Sequence, residues 1–348
     1  MSDRLNVCLG YPLLLEDLFR ERLHAIDPGI RLLEMPIDNG GDWISVSPAD
    51  PHAEPPAWAA GCGPERRAAL AEAEVLIALH VPAGVMELAP KLRWIQGVGA
   101  GVEQFAATGV PRDRVLMTNA SGLSAASMAE FVIGRLLEVW KRTREIEALQ
   151  REHNYRRSYG RTFKGSVVGI VGMGHIGREV AIRARALGAR VIGNKRNKPG
   201  AEEAALVDAF FTPNQLHEML SECDAVVIAA PATPATHHLM NAQALAAMKP
   251  GATLVNVARG SLLDEPALID AMRSGHIGAS VLDVTEQEPL PADSELLDLP
   301  NVYLSAHSSV SVDRYNDDVF ELFEENLRRF VHGEALRNVV DMEALGFQ

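Results

Sequence analysis

The sequence predicts an α/β protein made of two doubly wound, Rossmann-like parallel-sheet domains. Three observations carry that prediction. Short apolar runs alternate with amphipathic helical patterns along most of the chain, the rhythm of βαβ units. One such unit, Val167 to Arg196, places Gly172, Gly174 and Gly177 between a strand and a helix. A bare G-x-G-x-x-G is weak evidence, and this context makes it strong. Finally, 348 residues are enough for two domains that each bury a core.

Taken in order, Leu5–Leu9 reads as a strand, Leu14–Ile26 as an amphipathic helix ending near Asp27-Pro28-Gly29, and Arg31–Met35 as a second strand. Asn39–Pro64 breaks the rhythm with proline, glycine, Trp43 and Trp58, and is expected to be a long surface loop or insertion, with a lid over the pocket as the lesser reading. A helix near Glu65–Ala73 follows, then strands at Val75–Leu79, Leu92–Gln96 and Val115–Thr118. The cluster Gly97-Val98-Gly99-Ala100-Gly101 lies at a strand end, where ligands bind in open α/β sheets, although a ligand-free tight turn fits it as well. From Ser124 to about Glu152 the pattern predicts one long helix joining two domains. Its basic side continues through Arg156, Arg157 and Arg161 and is expected to be a solvated face or a subunit contact.

In the Gly-rich unit the glycines have separate expected tasks. Gly172 makes the tight turn, Gly174 lets the backbone approach a pyrophosphate, and Gly177 lets helix and strand pack closely. Phosphates would sit at the helix N-terminus, where unpaired N–H groups favour negative charge. The motif predicts a dinucleotide site. At the end of its second strand, 18 residues past Gly177, an NAD-type site would carry an acid for the ribose 2′-hydroxyl. Lys195 stands there instead, between Asn194 and Arg196 and close to Lys198. With no carboxylate competing nearby, these cations suit a 2′-phosphate. NADP(H) is therefore the favoured coenzyme and NAD(H) the alternative, the latter matching a merely basic surface turn.

Beyond Arg196 the alternation continues. Strands are expected at Ala209–Thr212, Ala225–Ala229, Thr253–Asn256, Ala279–Leu282 and Val302–Leu304. One intervening helix starts at an Asn214 cap, one at an Asn241 cap, and one covers Glu265–Arg273. Val312–Val331 closes the series as a strongly amphipathic helix.

Composition narrows the class. A hydrophobic fraction of 47% and a charged fraction of 23% are ordinary for a globular protein. A net charge of -13 argues against nucleic acid or an anionic membrane surface as partner. Cys8, Cys62 and Cys223 are widely spaced and odd in number, so reduced thiols are expected, with neither a disulfide framework nor a metal site. No apolar run reaches 18 residues and the opening residues lack a signal-peptide pattern, so a cytoplasmic enzyme is expected.

Three stretches end strands where a parallel sheet gathers ligands: Asn256–Gly260, Asp283–Leu290 and Ala306–Ser308. A guanidinium such as Arg259 can grip a carboxylate with paired hydrogen bonds and polarise a carbonyl beside it. An imidazole such as His307 exchanges protons near neutrality. A carboxylate such as Glu288 beside it favours its protonated form and fixes its orientation. The three residue types suffice to reduce a 2-keto acid, although each alone is commonly a surface or ion-pair residue. The His237-His238 pair has no metal-site spacing and reads as structural or surface.

Together these stretches resemble the D-isomer-specific 2-hydroxyacid dehydrogenase family, which includes glyoxylate and hydroxypyruvate reductases. The resemblance runs from Leu92-Arg93-Trp94-Ile95-Gln96 and Gly99–Val102, through Thr118–Gly122 with Met128–Phe131 and Val168–Gly177, to Asn256–Gly260 with Leu263-Asp264-Glu265, Asp283–Leu290 and His307. It implies that Arg259 binds the substrate carboxylate and keto oxygen, His307 is the acid/base, and Glu288 is its partner. It also implies carboxylate contacts from the N–H groups of Ala100 and Gly101, and a nicotinamide contact from Asp283. Met128, His175, Ile176, Pro231 and Ala258 join the residues expected along the coenzyme. The implied organisation is a discontinuous substrate domain, 1–118 with 308–348, around a dinucleotide domain, 119–307, in a homodimer that reduces a 2-keto acid to a D-2-hydroxy acid. Ala306, where many members carry proline, and Tyr155, where tryptophan is frequent, bear on substrate identity. A nucleotide-sensing corepressor-like protein and a dehydrogenase of a non-carbon substrate such as phosphite are the alternatives.

Overall fold

The apolar runs form parallel strands whose alternate residues face opposite helix layers. In the computed structural model, residues 4–11, 17–35, 63–197, 199–311, 314–343, 345 and 347 are described. The expected loop over Asn39–Pro64 falls almost wholly outside the described residues, as do Cys62 and Lys198. Two compact units emerge: Met1–Leu123 with Val312–Gln348, and Ser124–Ser311.

In the first unit the described strands β1 (Leu5–Gly10), β2 (Ile30–Glu34), β3 (Val75–Ala78), β4 (Trp94–Gly97) and β5 (Leu116–Thr118) pair in parallel in the order β2-β1-β3-β4-β5. That is the flavodoxin-type doubly wound order. Val7, Leu9, Val75, Ile77 and Trp94 pack on one face, and Cys8, Leu76, Ala78 and Ile95 on the other, the period of two that a sheet covered on both sides requires. The helix Tyr315–His332 covers the first face with Val319, Phe320, Phe323 and Leu327. One polar residue breaks its apolar stripe. Asn326, fully buried, donates to Gln96 Oε1 at 3.2 Å, which also accepts from Thr118 Oγ1 at 2.7 Å; Trp94 Nε1 in turn donates to Thr118 at 2.8 Å. The buried polar groups satisfy one another, as a dry interior demands.

The second unit contains β6 (Val167–Val171), β7 (Arg190–Asn194), β8 (Ala209–Phe211), β9 (Ala225–Ile228), β10 (Ala252–Asn256), β11 (Ile277–Leu282) and β12 (Val302–Leu304). Their order, β12-β11-β10-β9-β6-β7-β8, is that of a Rossmann sheet with one further parallel strand at its edge. The strand order reverses between β6 and β9. Register aligns the C-terminal ends: Asn194, Val171, Ile228, Asn256, Leu282 and Leu304 lie in one row across the sheet.

Two local expectations need correction. The single helix expected over Ser124–Glu152 is two, Ala125–Trp140 and Thr143–Arg151. Arg142 enters the left-handed region at φ 59°, and the N–H groups of Lys141 and Arg142 fold back onto Leu137 and Val139. Side chains on either side hold the break: Trp140 Nε1 donates to Thr253 Oγ1 at 3.0 Å, and the Arg144 guanidinium lies 3.5 Å over the Tyr303 ring. Asn214 does not cap a helix either. Thr212 starts that segment, with both its N–H and its hydroxyl directed at Gln215 Oε1. Asn241 does cap, its side chain accepting the Gln243 and Ala244 N–H groups, and Asp264 caps the helix Glu265–Arg273 by accepting the Ala267 N–H.

Cys8 and Cys223 are buried free thiols, and burial pushes both up to about 12, far from the thiolate form that reacts. Among the described residues no helix is long and apolar enough to cross a membrane.

Candidate active site

Three neighbouring strand ends of the second unit supply the candidate chemistry. β10 ends at Asn256, whose buried amide ties the next turn together: its Oδ1 accepts the Ala258 N–H at 3.0 Å and its Nδ2 donates to the Arg259 carbonyl at 2.9 Å. Arg259 is thereby held in extended backbone at φ -147°, with Nη1 donating to the Ala258 carbonyl. The following Gly260 is pressed against the loop after β11, where an added Cβ would lie 1.9 Å from the Thr285 carbonyl oxygen. Only hydrogen fits there, so the Arg259 turn and the Glu288 loop are packed backbone to backbone.

β12 ends at Leu304, and the chain turns through two consecutive left-handed residues, Ala306 at φ 46° and His307 at φ 55°. Such a pair persists only when its surroundings impose it. Asp283 does so. Its carboxylate is 2% exposed and accepts from Ser305 Oγ at 2.7 Å, the N–H groups of Ser308 and Ser309 at 3.0 Å each, and Ser309 Oγ at 2.5 Å. Its carbonyl also accepts the His307 N–H at 2.6 Å. His307 Nδ1 then lies 3.0 Å from Glu288 Oε2, and Glu288 Oε1 accepts the Thr285 N–H at 3.1 Å. The Glu288 side chain is 11% exposed against 37% for His307, so the acid lies beneath an imidazole that reaches solvent.

A second layer supports this loop and was not assigned from sequence. Glu265 accepts the Glu286 N–H, and Glu286 Oε1 meets His238 Nε2, giving half of the His237-His238 pair a structural partner. Burial pushes the Glu265 carboxyl up from its ordinary range, and the charges of Glu286 and Glu288 add to the push. Asn256, Ser305 and Ser309 were likewise invisible as site residues. Small polar side chains are common after strands, and the only signal available was that Asn256 opens one of the three chosen stretches while Ser305 and Ser309 flank another.

The Gly-rich turn occupies the same row of strand ends, where the strand order reverses. Gly172 has φ 101°, and a Cβ there would lie 2.5 Å from the Ala230 N atom. A Cβ on Gly177 would lie 2.1 Å from the Gly172 carbonyl oxygen, so the helix start is packed on the turn itself. At Gly174 an added Cβ meets nothing within 4 Å. The helix His175–Ala186 begins there without a side-chain cap, its first-turn N–H groups left for an anion. The residues therefore fit a dinucleotide pyrophosphate. His175 is exposed and Ile176 half-buried beside the turn; Pro231 is exposed just past β9, while Met128 and Ala258 are buried at 8% exposure.

The end of β7 departs from expectation. Asn194 is buried, donating to the Thr212 carbonyl at 2.8 Å. Lys195 Nζ is 2.7 Å from both carboxylate oxygens of Glu203, and Arg178 Nε donates to Glu203 Oε1 at 3.1 Å. A carboxylate does compete for Lys195, supplied eight residues later by the short helix Ala201–Leu206, which the apolar pattern had not revealed. Hydrogen bonds from Lys195, then from Arg178 and the Gly200 N–H, hold the Glu203 carboxyl down to about 2 against the effect of burial. Arg196 is exposed.

In the first unit, Ala100 and Gly101 follow β4. The Ala100 carbonyl accepts Asn119 Nδ2 at 2.7 Å, and the Gly99 carbonyl accepts the Ala120 N–H at 2.9 Å. These bonds fix the loop by its carbonyls.

Comparison with known proteins shows the family and the fold. Residues 133–309 match the model of the D-isomer specific 2-hydroxyacid dehydrogenase, NAD binding domain. A D-3-phosphoglycerate dehydrogenase of Mycobacterium leprae is 35% identical over 81% of this chain and 54% of its own length, so the chain spans about half of that relative. A glyoxylate reductase of Thermococcus gammatolerans is 33% identical over 78% of this chain and 82% of its own. Among solved structures, a D-isomer specific 2-hydroxyacid dehydrogenase from Xanthobacter autotrophicus, in complex with NADPH and MES, is 29% identical with a TM-score of 0.78, over 98% of this chain and 99% of that one. The chain belongs to the D-isomer-specific 2-hydroxyacid dehydrogenase family.

Proposed function

We propose that this protein catalyses the NAD(P)H-dependent reduction of a 2-keto acid to a D-2-hydroxy acid, and the reverse oxidation. The observation that carries the reading is the His307–Glu288 pair at 3.0 Å, packed beside the Arg259 turn on the sheet edge that also holds the Gly-rich turn. The coenzyme, when bound, supplies or accepts the hydride. Everything else falls to side chains. With Nδ1 donating to Glu288, His307 presents Nε2 as the atom that gives the proton to the nascent hydroxyl. The buried Glu288 carboxylate stabilises the imidazolium before that transfer. Arg259 binds the substrate carboxylate and draws electron density from the keto oxygen. The N–H groups of Ala100 and Gly101 are the proposed further donors to that carboxylate, and Asp283 the proposed contact of the nicotinamide carboxamide. The unit Met1–Leu123 with Val312–Gln348 would take the substrate, and Ser124–Ser311 the coenzyme.

NADP(H) is the proposed preferred coenzyme, supported by the cations Lys195, Arg178 and Arg196 at the end of β7 and by the NADPH-bound relative from Xanthobacter. A cytoplasmic homodimer is proposed, supported by the exposed Tyr155 and Tyr159 on an irregular, arginine-bearing segment; sedimentation of the purified protein tests the assembly. Initial rates of NADPH and NADH oxidation against glyoxylate, hydroxypyruvate, pyruvate, phenylpyruvate and bulkier keto acids test the reaction. Turnover with at least one of them is expected. Tight coenzyme binding without turnover on any would refute the proposal and favour a nucleotide-sensing role.

A further inference from the structure

We infer that Glu203 sets how strongly this coenzyme site discriminates a ribose 2′-phosphate from a 2′-hydroxyl. The inference rests on reading the end of β7 as the ribose end of the site.

In an NAD-type site the residue at the end of this strand is an acid that accepts the ribose hydroxyl. Lys195 holds that place, and the acid comes instead from Glu203. The acid is fully used. Oε1 accepts Lys195 Nζ at 2.7 Å and Arg178 Nε at 3.1 Å, while Oε2 accepts Lys195 Nζ at 2.7 Å and the Gly200 N–H at 3.3 Å. Glu203 is only 4% exposed. It therefore has neither the lone pairs nor the access to serve a ribose hydroxyl itself.

Its partners differ from it in exposure. The side chains of Lys195 and Arg178 are 27% and 42% exposed, so both cations reach solvent from a buried anion. Each keeps N–H donors beyond those given to Glu203. The cluster thus presents two cations held in place and neutralised by half, with net charge +1 where Lys195 and Arg178 alone would give +2.

A 2′-phosphate, carrying nearly two negative charges, would meet the open side of Lys195 at a contact distance of roughly 2.8 Å. Its oxygens would then lie within about 5 Å of the Glu203 carboxylate, well inside the screening length of about 10 Å in dilute salt. A coenzyme ending in a 2′-hydroxyl carries no charge there and feels little of this. Glu203 therefore lowers the advantage of the phosphorylated coenzyme while keeping the cations oriented, which brings the two coenzymes closer in affinity.

The test is calorimetric binding of 2′,5′-ADP and 5′-AMP to the whole chain at low ionic strength, in the wild type and in Glu203→Gln, Glu203→Asp and Lys195→Ala. Glu203→Gln preserves shape and one acceptor oxygen while removing the charge. It is expected to tighten 2′,5′-ADP by about tenfold, the effect of removing one like charge at this distance. Binding of 5′-AMP should stay within about twofold, which also reports an intact domain. Glu203→Asp, whose carboxylate is one methylene further from Lys195, should shift the ratio in the same direction by less. An unchanged or lower ratio of affinities in both variants overturns the inference. Lys195→Ala separates it from the underlying reading: if that change leaves 2′,5′-ADP binding unaltered, the end of β7 does not recognise the phosphate. If it weakens binding while the Glu203 variants match the wild type, only the role of Glu203 is wrong.

Discussion

Asp283 gives the sharpest test of how His307, the proposed acid/base, is held. The change Asp283→Asn keeps size and shape but replaces one acceptor oxygen with an amide nitrogen and removes the charge from the other. Four donors converge on the carboxylate, from Ser305, Ser308 and twice from Ser309. Hydrogen bonds to a charged acceptor contribute about 1.5–3 kcal/mol and neutral ones about 1 kcal/mol. Losing charge assistance in three bonds and most of the fourth therefore costs about 3 kcal/mol. The fourth is the most sensitive: Ser309 Oγ lies 2.5 Å from Oδ2, too close for an amide nitrogen. That cost falls on a turn whose residues Ala306 and His307 already occupy left-handed backbone, so opening should be local. Amide hydrogen exchange at Ser308 and Ser309 reads it directly, with protection expected to fall by about 100-fold, the factor that about 3 kcal/mol implies. Protection within threefold of the wild type would show that the turn is held by something other than Asp283.

Three further outcomes are expected. His307→Ala should lower kcat by about 10³-fold, the usual scale for losing a general acid, while the coenzyme Kd measured by fluorescence quenching stays unchanged; surviving kcat would remove His307 from the proton-transfer role. Gly260→Ala drives a methyl into the Thr285 carbonyl, so a loss of about 2 kcal/mol in denaturant unfolding is expected, together with a fall in kcat as the Arg259 turn separates from the Glu288 loop; wild-type stability would show that the two backbones can part freely. Glu203 contributes to acid resistance. Its folded value of about 2 lies below the ordinary 4.5, so its contribution is present above pH 4.5 and is lost as the pH falls through 2. After allowance for partly exposed partners that contribution is about 1 kcal/mol, so the stabilities of wild type and Glu203→Gln should differ at pH 6 and converge near pH 2.

Much of the fold was legible because a sheet buried on both faces leaves a plain record. Runs such as Val167–Val171 and Ala225–Ile228 are apolar at every position because both faces are covered, and the glycines mark where backbone approaches backbone. The break at Arg142 left no such mark. No glycine or proline occupies it, and it is produced by Trp140 and Arg144 anchoring on Thr253 and Tyr303, more than a hundred residues away. The His307–Glu288 pair was legible as a candidate from residue type and position at strand ends, and only the family resemblance raised it above an ordinary surface pair. Its scaffold was not legible, because the acceptor role of Asp283 and the clamp formed by Asn256 depend on which small polar groups the turns bring to them. Lys195 taught the same lesson with the opposite sign: the cation was visible, and its neutralising acid arrived on a six-residue helix too short to show a periodic pattern.

The Gln96–Asn326 hydrogen bond joins residues 230 positions apart. On a ribosome adding 5–20 residues per second, that separation is roughly 10 to 50 s of synthesis. Throughout that interval the sheet carrying Trp94 has been made, while the helix that buries its indole and satisfies Gln96 has not. The contiguous unit Ser124–Ser311 is complete before then and can close on its own contacts. A nascent chain of this protein thus presents all the residues of its second unit before its first can be completed, with an aromatic face uncovered until Tyr315–His332 appears. The interruption of one unit by another is therefore also a timetable, and it makes Tyr315–His332 the segment on which the stability of the first-made strands depends.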